Sequence, residues 1–528
     1  MTNTIADIET ADVILITGSN TSENHPVLSS FVKRAVKFNG AKVIVVDPRR
    51  IKMTEFADLW LRPNLGTDVA WLNGMMHLML AENLQATDFI QARTEGFEEL
   101  KKALEKYTPE FVEQITGIPA ESIIAAARLY AKAKTASLLY CMGITQHISG
   151  TDNVKSLANL AMLTGNLGMA GGGVNPLRGQ NNVQGACDMG GLPNVYSGYQ
   201  PVTNEQLARK MEAAWGVTGL PTKIGLKVTE MIPKARNGEL KALYIIGENP
   251  LVSDADLNHA AKSMAHLDFL VVQDIFLTET AQLADVVLPS ACFAEKDGTF
   301  ANTERRVQRI RKAVDAPGEA KNDWWITCQI ASRMGHEMHY ADSETIFNEI
   351  ASVTPSYGGL SFDRIEQQGL HWPCPTAEHP GTPILHSQQF TRGKGMFHAI
   401  EWVPPDETVD EEYPLYMTTG RVLYQYHTGT MTMKTPGLNE RAPDSFVEMT
   451  RSDARRYGMR NGDMAAISSR RGSITARVQV SAKAVDGTVF IPFHFAAAAA
   501  NKLTNAALDP ISGIPEFKVC AVKIDKAA

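Results

Sequence analysis

Residues Gly171 to Gly190, GGGVNPLRGQNNVQGACDMG, pair one cation with a run of neutral amides: Arg178 is followed by Gln180, Asn181, Asn182 and Gln184. Glycine lets a backbone approach a ligand closely, and amides donate and accept hydrogen bonds without charge. The stretch has almost no aliphatic residue to bury, so it reads as a long polar loop outside the core. By composition alone an ordinary glycine-rich surface loop fits as well.

Two further groups of residues have the makings of a ligand site. Gly18-Ser19-Asn20 closes one apolar run and Gly247-Glu248-Asn249 closes another, and each is followed by an acid at the end of the next run, Asp47 and Asp274. From glycine to acid is 29 residues in the first case (47 minus 18) and 27 in the second (274 minus 247). An A-D-x-x-L pattern then recurs, its aspartate 40 residues after the glycine (58 minus 18) and 38 (285 minus 247). A glycine where a strand turns into a helix admits phosphate to backbone N–H groups, and an acid at the next strand end can bond a sugar or base. The chain therefore carries two copies of a mononucleotide-binding unit, or two α/β domains whose turn glycines are ordinary. Neither copy contains G-x-G-x-x-G, so a nicotinamide dehydrogenase is the weakest reading.

The elements that position these residues follow from hydrophobic periodicity. Apolar β-branched runs at Asp12–Thr17, Lys42–Val46 and Phe56–Pro63, with a helical pattern over Pro26–Lys37, predict strand, helix, strand and a parallel sheet. Ala242–Ile246, Phe269–Val272 and Leu283–Pro289 repeat the order. Between the copies, residues 68–128 read as helices with Leu100, Leu104 and Tyr107 at helical spacing, Ala136–Cys141 as a strand, and Asn153–Leu163 as a helix entering the glycine loop. Residues 295–306 mix charge with turn formers, helices start near Asp323 and Glu344, and Trp372–Pro405 is a proline-rich connection. From about residue 405 the pattern becomes β: Met464–Ser469 and Ile474–Val480 form a hairpin and Gly487–Phe493 a further strand.

The 528 residues exceed one core, and a net charge of −7 with no lysine-arginine block argues against nucleic acid as a partner. No apolar run is long enough to span a membrane. The six cysteines never come closer than 36 residues (328 minus 292), which excludes a CxxC pair or compact iron–sulfur motif and suits reduced thiols in a cytoplasmic protein.

The stretch V-N-P-L-R-G-Q-N-N-V-Q-G-A-C-D-M-G closely resembles the signature of molybdenum- or tungsten-dependent formate dehydrogenase catalytic subunits, in the DMSO reductase family of molybdopterin oxidoreductases. The resemblance covers essentially the whole chain: G-S-N at 18–20, V-D-P-R at 46–49, N-L-G-T-D at 64–68, G-E-N-P at 247–250, V-Q-D at 272–274, E-K-D-G-T-F at 295–300, T-G-R at 419–421 and P-E-F-K at 515–518 fall in family order. It implies an α/β chain with two doubly wound dinucleotide-binding domains related by duplication, at 1–180 and 181–404, and a C-terminal β-barrel of double-psi type at 405–528. It further implies a bis-molybdopterin guanine dinucleotide carrying Mo or W. By position, Gly18, Asn20, Asp47, Arg49, Gly66 and Asp68 would hold one dinucleotide, and Gly247, Glu248, Asn249, Gln273 and Asp274 the other. Gly143, Gln146 and Gln180 would lie near the pterins, while Arg421, His427, Asn501 and Lys518 would close over the cofactor from the barrel.

Arg178 would then be the catalytic residue, its guanidinium gripping formate through two parallel charge-assisted hydrogen bonds. The implied reaction takes formate to CO2 and passes two electrons to a partner subunit: iron–sulfur, NAD- or ferredoxin-linked, or a hydrogenase. The resemblance also implies a [4Fe–4S] domain and a cysteine or selenocysteine metal ligand upstream of Met1. No metal-ligand residue falls within residues 1–528, and a frame truncated at a selenocysteine codon is the expectation. A non-catalytic structural subunit retaining the fold is the alternative.

Overall fold

The computed structural model describes residues 1–527. The chain forms two compact units, one of Met1–Leu177, Val252–His259 and the residues from Ile384 on, the other of Arg178–Leu251 and Ala260–Pro383.

The first unit opens with β1 (Val13–Thr17), α1 (Pro26–Asn39), β2 (Lys42–Val46) and β3 (Leu59–Leu61). Proline at its first turn starts α1, Gly40 in left-handed conformation ends it, and Leu28, Val32 and Ala35 are its buried stripe. There follow α2 (Asp68–Ala81), α3 (Ala120–Ala131), β4 (Ala136–Tyr140), α4 (Gly150–Leu163) and β5 (Val174–Pro176). The strands form one parallel sheet in the order β3-β2-β1-β4-β5. Both faces are covered, as parallel sheets require. Ile14, Ile16, Val43 and Val45 pack with α1, while Val13, Leu15, Ile44 and Leu61 join a core built with α2, α3 and α4.

The second unit holds α5 (Val183–Asp188), α6 (Val228–Arg236) and strands β6 (Ala242–Ile246), β7 (Phe269–Asp274) and β8 (Val286–Pro289). These pair in parallel in the order β8-β7-β6, the same arrangement as β3-β2-β1. The two copies agree bond for bond. Gly18 N–H donates to Val46 O, and Gly247 N–H to Gln273 O. Asp58 accepts from Val43 N at 2.9 Å, and Asp285 from Leu270 N at 2.7 Å, which gives the A-D-x-x-L aspartate one structural job in both: it ties the start of the middle strand to the third. A hairpin, β9 (Gly298–Ala301) with β10 (Arg306–Ile310), occupies what the sequence presented as charged turns.

The glycine-rich stretch is not the open loop expected from its composition. It contains β5 and α5, and Asn175, Gln184 and Asp188 are buried. Polar side chains enter a core when they find partners there: Gln184 bonds Asp188, while Asn175 accepts from Asn3 N–H and donates to Ser137 Oγ.

After residue 405 a closed barrel is built from β11 (Leu415–Gly420), β12 (Phe446–Met449), β13 (Met464–Ser468), β14 (Ser473–Val480), β15 (Thr488–Pro492) and β16 (Cys520–Lys526), in the order β11-β15-β12-β14-β13-β16. The alternating Ile474, Ala476 and Val478 point into its core. Among the described residues no helix is long and apolar enough to cross a membrane, and no cluster of His, Cys, Asp or Glu is arranged to hold a metal ion.

Candidate functional site

A cavity in the first unit lies where the C-terminal ends of β1 and β2 meet the barrel, the place where open α/β sheets bind ligands. Gly18, Asn20, Asp47, Arg49, Gly66, Asp68, Gly143, Arg421 and Lys518 all line it. Its glycines have a steric reason. Gly18 sits at φ 55°, and a Cβ there would lie 2.7 Å from Gly143 C; a Cβ on Gly143 would lie 2.5 Å from Gly18 Cα. Side chains at either position would close the strand-to-helix turn.

The charges of the cavity are held at a cost. Lys518 is buried, donates to Thr419 O at 2.7 Å, and is brought down to about 7 by burial first and then by the neighbouring Arg421. Burial raises Asp47 to about 6 against a hydrogen bond from Arg49 N–H, and raises Asp68 to about 7 against one from Trp71. Arg49 spans sheet and barrel: it pairs with buried Glu448 at 2.8 Å and lies 3.4 Å from the centroid of Phe490. Ser19 Oγ, Asn20 Oδ1 and Arg421 Nε are buried atoms without a hydrogen-bond partner among the described residues. Such atoms are costly unless a ligand meets them. Three cations, orphaned donors and acceptors, and a glycine cradle match an anionic, polar dinucleotide.

Gln146, His427 and Asn501 belong to the same unit but do not line the cavity. Gln146 contacts Met142 Sδ at 3.4 Å, and Asn501 donates to the carbonyls of Val252 and Ser253 at 3.2 and 2.9 Å. His427, at φ 47°, gives its carbonyl to His494 Nδ1; burial and Arg421 bring its ring down to about 4. The sequence did not point to His147, Thr418 or Phe490 as lining residues. His147 is buried, its Nε2 2.9 Å from Gly143 O, and burial lowers it to about 4, so it is neutral at pH 7. Its one signal in sequence is the four-residue spacing from Gly143.

In the second unit, Gly247, Glu248, Asn249, Gln273 and Asp274 gather at the ends of β6 and β7. Asn249 Oδ1 accepts from Thr280 Oγ1 at 2.8 Å, Asp274 accepts from Phe276 N at 3.1 Å, and Gln273 donates to Asp323 at 2.7 Å and accepts from Tyr244. Burial raises Glu248 and Asp274, each also repelled by an acidic neighbour.

Arg178 and Gln180 belong to this unit too. The Arg178 N–H donates to Thr303 Oγ1 at 3.0 Å and its Nη2 lies 3.5 Å from Gln184 Oε1. Gln184 Nε2 donates to Asp188 at 2.8 Å and to Tyr199 OH at 2.9 Å, and Tyr357 OH donates to Asp188 at 2.7 Å. Gln184 and Asp188, four residues apart on α5, thus form a satisfied polar core beside the guanidinium.

A family model described as "Molybdopterin oxidoreductase" matches residues 1–333, and one described as "Molydopterin dinucleotide binding domain" matches residues 415–521. The chain is 51% identical over 532 residues to the F420-dependent formate dehydrogenase 1 subunit alpha of Methanococcus maripaludis, covering 100% of this chain and 78% of that one. It is 40% identical to formate dehydrogenase H of Escherichia coli, covering 100% of this chain and 74% of that one. In fold it is similar to acetylene hydratase from Pelobacter acetylenicus, with a TM-score of 0.78 at 21% identity over 99% of this chain and 81% of that one.

Proposed function

The chain belongs to the molybdopterin oxidoreductase family, and on that premise we propose that it is the catalytic body of a formate dehydrogenase, oxidising formate to CO2 and passing two electrons to a partner subunit. Gly18, Asn20, Asp47, Arg49, Gly66, Asp68 and Gly143, with Arg421 and Lys518 from the barrel, hold one guanine dinucleotide of the bis-molybdopterin cofactor. Gly247, Glu248, Asn249, Gln273 and Asp274 hold the second. When bound, the group supplies a molybdenum or tungsten centre that takes two electrons and releases them one at a time.

The protein's own residues contribute charge and orientation. Lys518, Arg49 and Arg421 neutralise the diphosphate; orphaned Asn20 Oδ1 and Ser19 Oγ are placed to take donors from the ligand. Asp47 and Asp274, at equivalent strand ends, accept from sugar hydroxyls or guanine. Arg178 is the catalytic residue, and its planar fork fixes a carboxylate in one orientation. Gln184 holds the guanidinium in line, and Asp188 with its two phenols keeps Gln184 from rotating. The fork favours formate over CO2, because the neutral product loses both charge-assisted bonds, so release is downhill. The free thiols suit a reducing compartment such as the cytoplasm.

The observation that carries the reading is Arg178 on this braced loop, in a chain half identical to a formate dehydrogenase alpha subunit along its whole length. The test is formate-dependent dye reduction by protein made in a host that supplies the cofactor. Arg178→Lys loses roughly 100-fold in kcat/KM, about 2.7 kcal/mol of transition-state binding, with cofactor content unchanged. Wild-type turnover in the loaded variant overturns the assignment.

A further inference from the structure

Arg178 is held from outside its own loop by the turn end of the β9–β10 hairpin. Two hydrogen bonds cross between them: the Arg178 N–H donates to Thr303 Oγ1 at 3.0 Å, and the Ala301 N–H donates to Asn182 Oδ1 at 2.9 Å. Residues 303 and 301 thus grip both ends of the run Arg178-Gly-Gln-Asn-Asn182.

The second bond is the more telling. Asn182 is the N-cap of α5, where an asparagine ordinarily accepts from an N–H of its own helix, yet it makes no capping bond and turns to the hairpin instead. Gly185 leaves room for this: a Cβ there would lie 2.2 Å from Asn182 Oδ1 and 3.3 Å from Ala301 N. Local helix chemistry is given up for a partner 119 residues away.

The hairpin end is itself fixed. Asn302 Oδ1 accepts from Glu304 N at 3.2 Å and from Arg306 N at 3.0 Å, which closes the turn. Arg305, 2% exposed, sits at φ 68°, a left-handed conformation that persists in a residue with a side chain only where the surroundings enforce it. Its guanidinium donates to the carbonyls of Trp372, Thr382 and Pro383, the last two at 3.0 and 3.1 Å, and so ties the turn to a separate stretch of the same unit.

We propose that Thr303 and Asn182 are positioning residues for Arg178: through them the hairpin end, anchored by Arg305, sets where the guanidinium presents its fork to a carboxylate. The proposal rests on the reading of Arg178 as the residue that grips formate. Gln184 steadies the tip of the side chain, and the clasp steadies the backbone from which it springs. A displacement of about 1 Å at that backbone is enough to spoil a two-point grip.

Thr303→Val keeps the shape of the side chain and removes the acceptor, whereas Thr303→Ser keeps the acceptor. In protein loaded with cofactor, Thr303→Val raises KM for formate roughly tenfold with kcat within about twofold, and Thr303→Ser stays within about twofold of wild type in both. Hydrogen exchange on the full chain gives a second readout: peptides containing the Arg178 amide exchange roughly tenfold faster in Thr303→Val and at the wild-type rate in Thr303→Ser, with peptides spanning 13–17 unchanged in both. Asn182→Ala opens the other end of the clasp; it speeds exchange at the Ala301 amide, raises KM in the same way, and carries the test if the valine variant does not fold. The proposal is overturned if exchange at these amides is unchanged, if kcat falls as much as KM rises, or if serine does no better than valine. Arg178→Lys, run alongside, separates the two claims: wild-type turnover there removes the reading of Arg178, whereas loss there with no effect of Thr303→Val overturns the clasp alone.

Discussion

Lys518→Met is the perturbation whose size can be worked from the structure. The ammonium is buried at the barrel end of the cavity, beside Arg421, donating a hydrogen bond to Thr419 O, and folding brings it from 10.5 to about 7. At about 1.4 kcal/mol per unit, a lysine so displaced costs the ligand-free fold about 4 kcal/mol at pH 7. Methionine fills the same volume without charge and forfeits one hydrogen bond, worth about 1 kcal/mol. The variant without cofactor is therefore more stable by about 2–3 kcal/mol at pH 7, and it binds the dinucleotide poorly because a diphosphate cation is gone. The pH dependence carries its own signature. The folded lysine binds fewer protons than the unfolded one between about pH 7 and 10.5, so its contribution to wild-type stability rises with pH across that window. Asp47 and Asp68, raised to about 6 and 7, and His147, His427 and His494, each lowered to about 4, act with opposing signs below pH 7, and Cys520, pushed by burial up to about 12, opposes the lysine above about pH 9, so it is the difference in slope between the two proteins that isolates Lys518. Denaturant unfolding of both proteins at pH 7 and 9.5 is the assay. A variant less stable than wild type at pH 7, or one that keeps the wild-type slope above pH 7, refutes the reasoning.

Three further outcomes follow from particular contacts. Gly143→Ala places a Cβ 2.5 Å from Gly18 Cα with only backbone to move, so the first unit loses about 3 kcal/mol or more, readable as a fall in its melting temperature. Glu448→Gln strands the Arg49 guanidinium between sheet and barrel and costs about 3 kcal/mol in denaturant unfolding, whereas exposed Glu205→Gln, which breaks a surface pair with Arg209, changes stability by less than about 0.5 kcal/mol. Gln184→Ala leaves cofactor content intact and raises KM for formate about tenfold more than it lowers kcat, since the fork is still present but unbraced; equal effects on both would assign Gln184 a different role.

The parts of the fold that were legible in the sequence are those governed by local periodicity. β2 and β6 fall on Lys42–Val46 and Ala242–Ile246, the boundaries that the apolar runs and their turn residues predict, because a strand buried on at least one face must present apolar side chains there. The duplication was legible because glycine turns and strand-end acids keep their spacing. The cavity was legible only in part. Gly18 and Asp47 announce themselves through turn chemistry and Gly143 through the family resemblance, but Phe490 and Thr418 come to the cavity through barrel closure, which no local pattern encodes. The α5 network was hidden for a different reason. Gln184 and Asp188 are buried by satisfying each other and two tyrosines distant in sequence, so their polarity reads as exposure until the partners are known. The ion pair of Arg49 with Glu448, 399 residues apart, is equally invisible from the chain order.

The central claim is that each copy of the duplicated unit holds one dinucleotide of a single metal cofactor. Metal analysis together with release and quantitation of guanine nucleotide, on protein purified from a host that makes the cofactor, tests this most directly. The account predicts one molybdenum or tungsten and two guanine nucleotides per chain; one nucleotide per metal, or neither group retained, contradicts it.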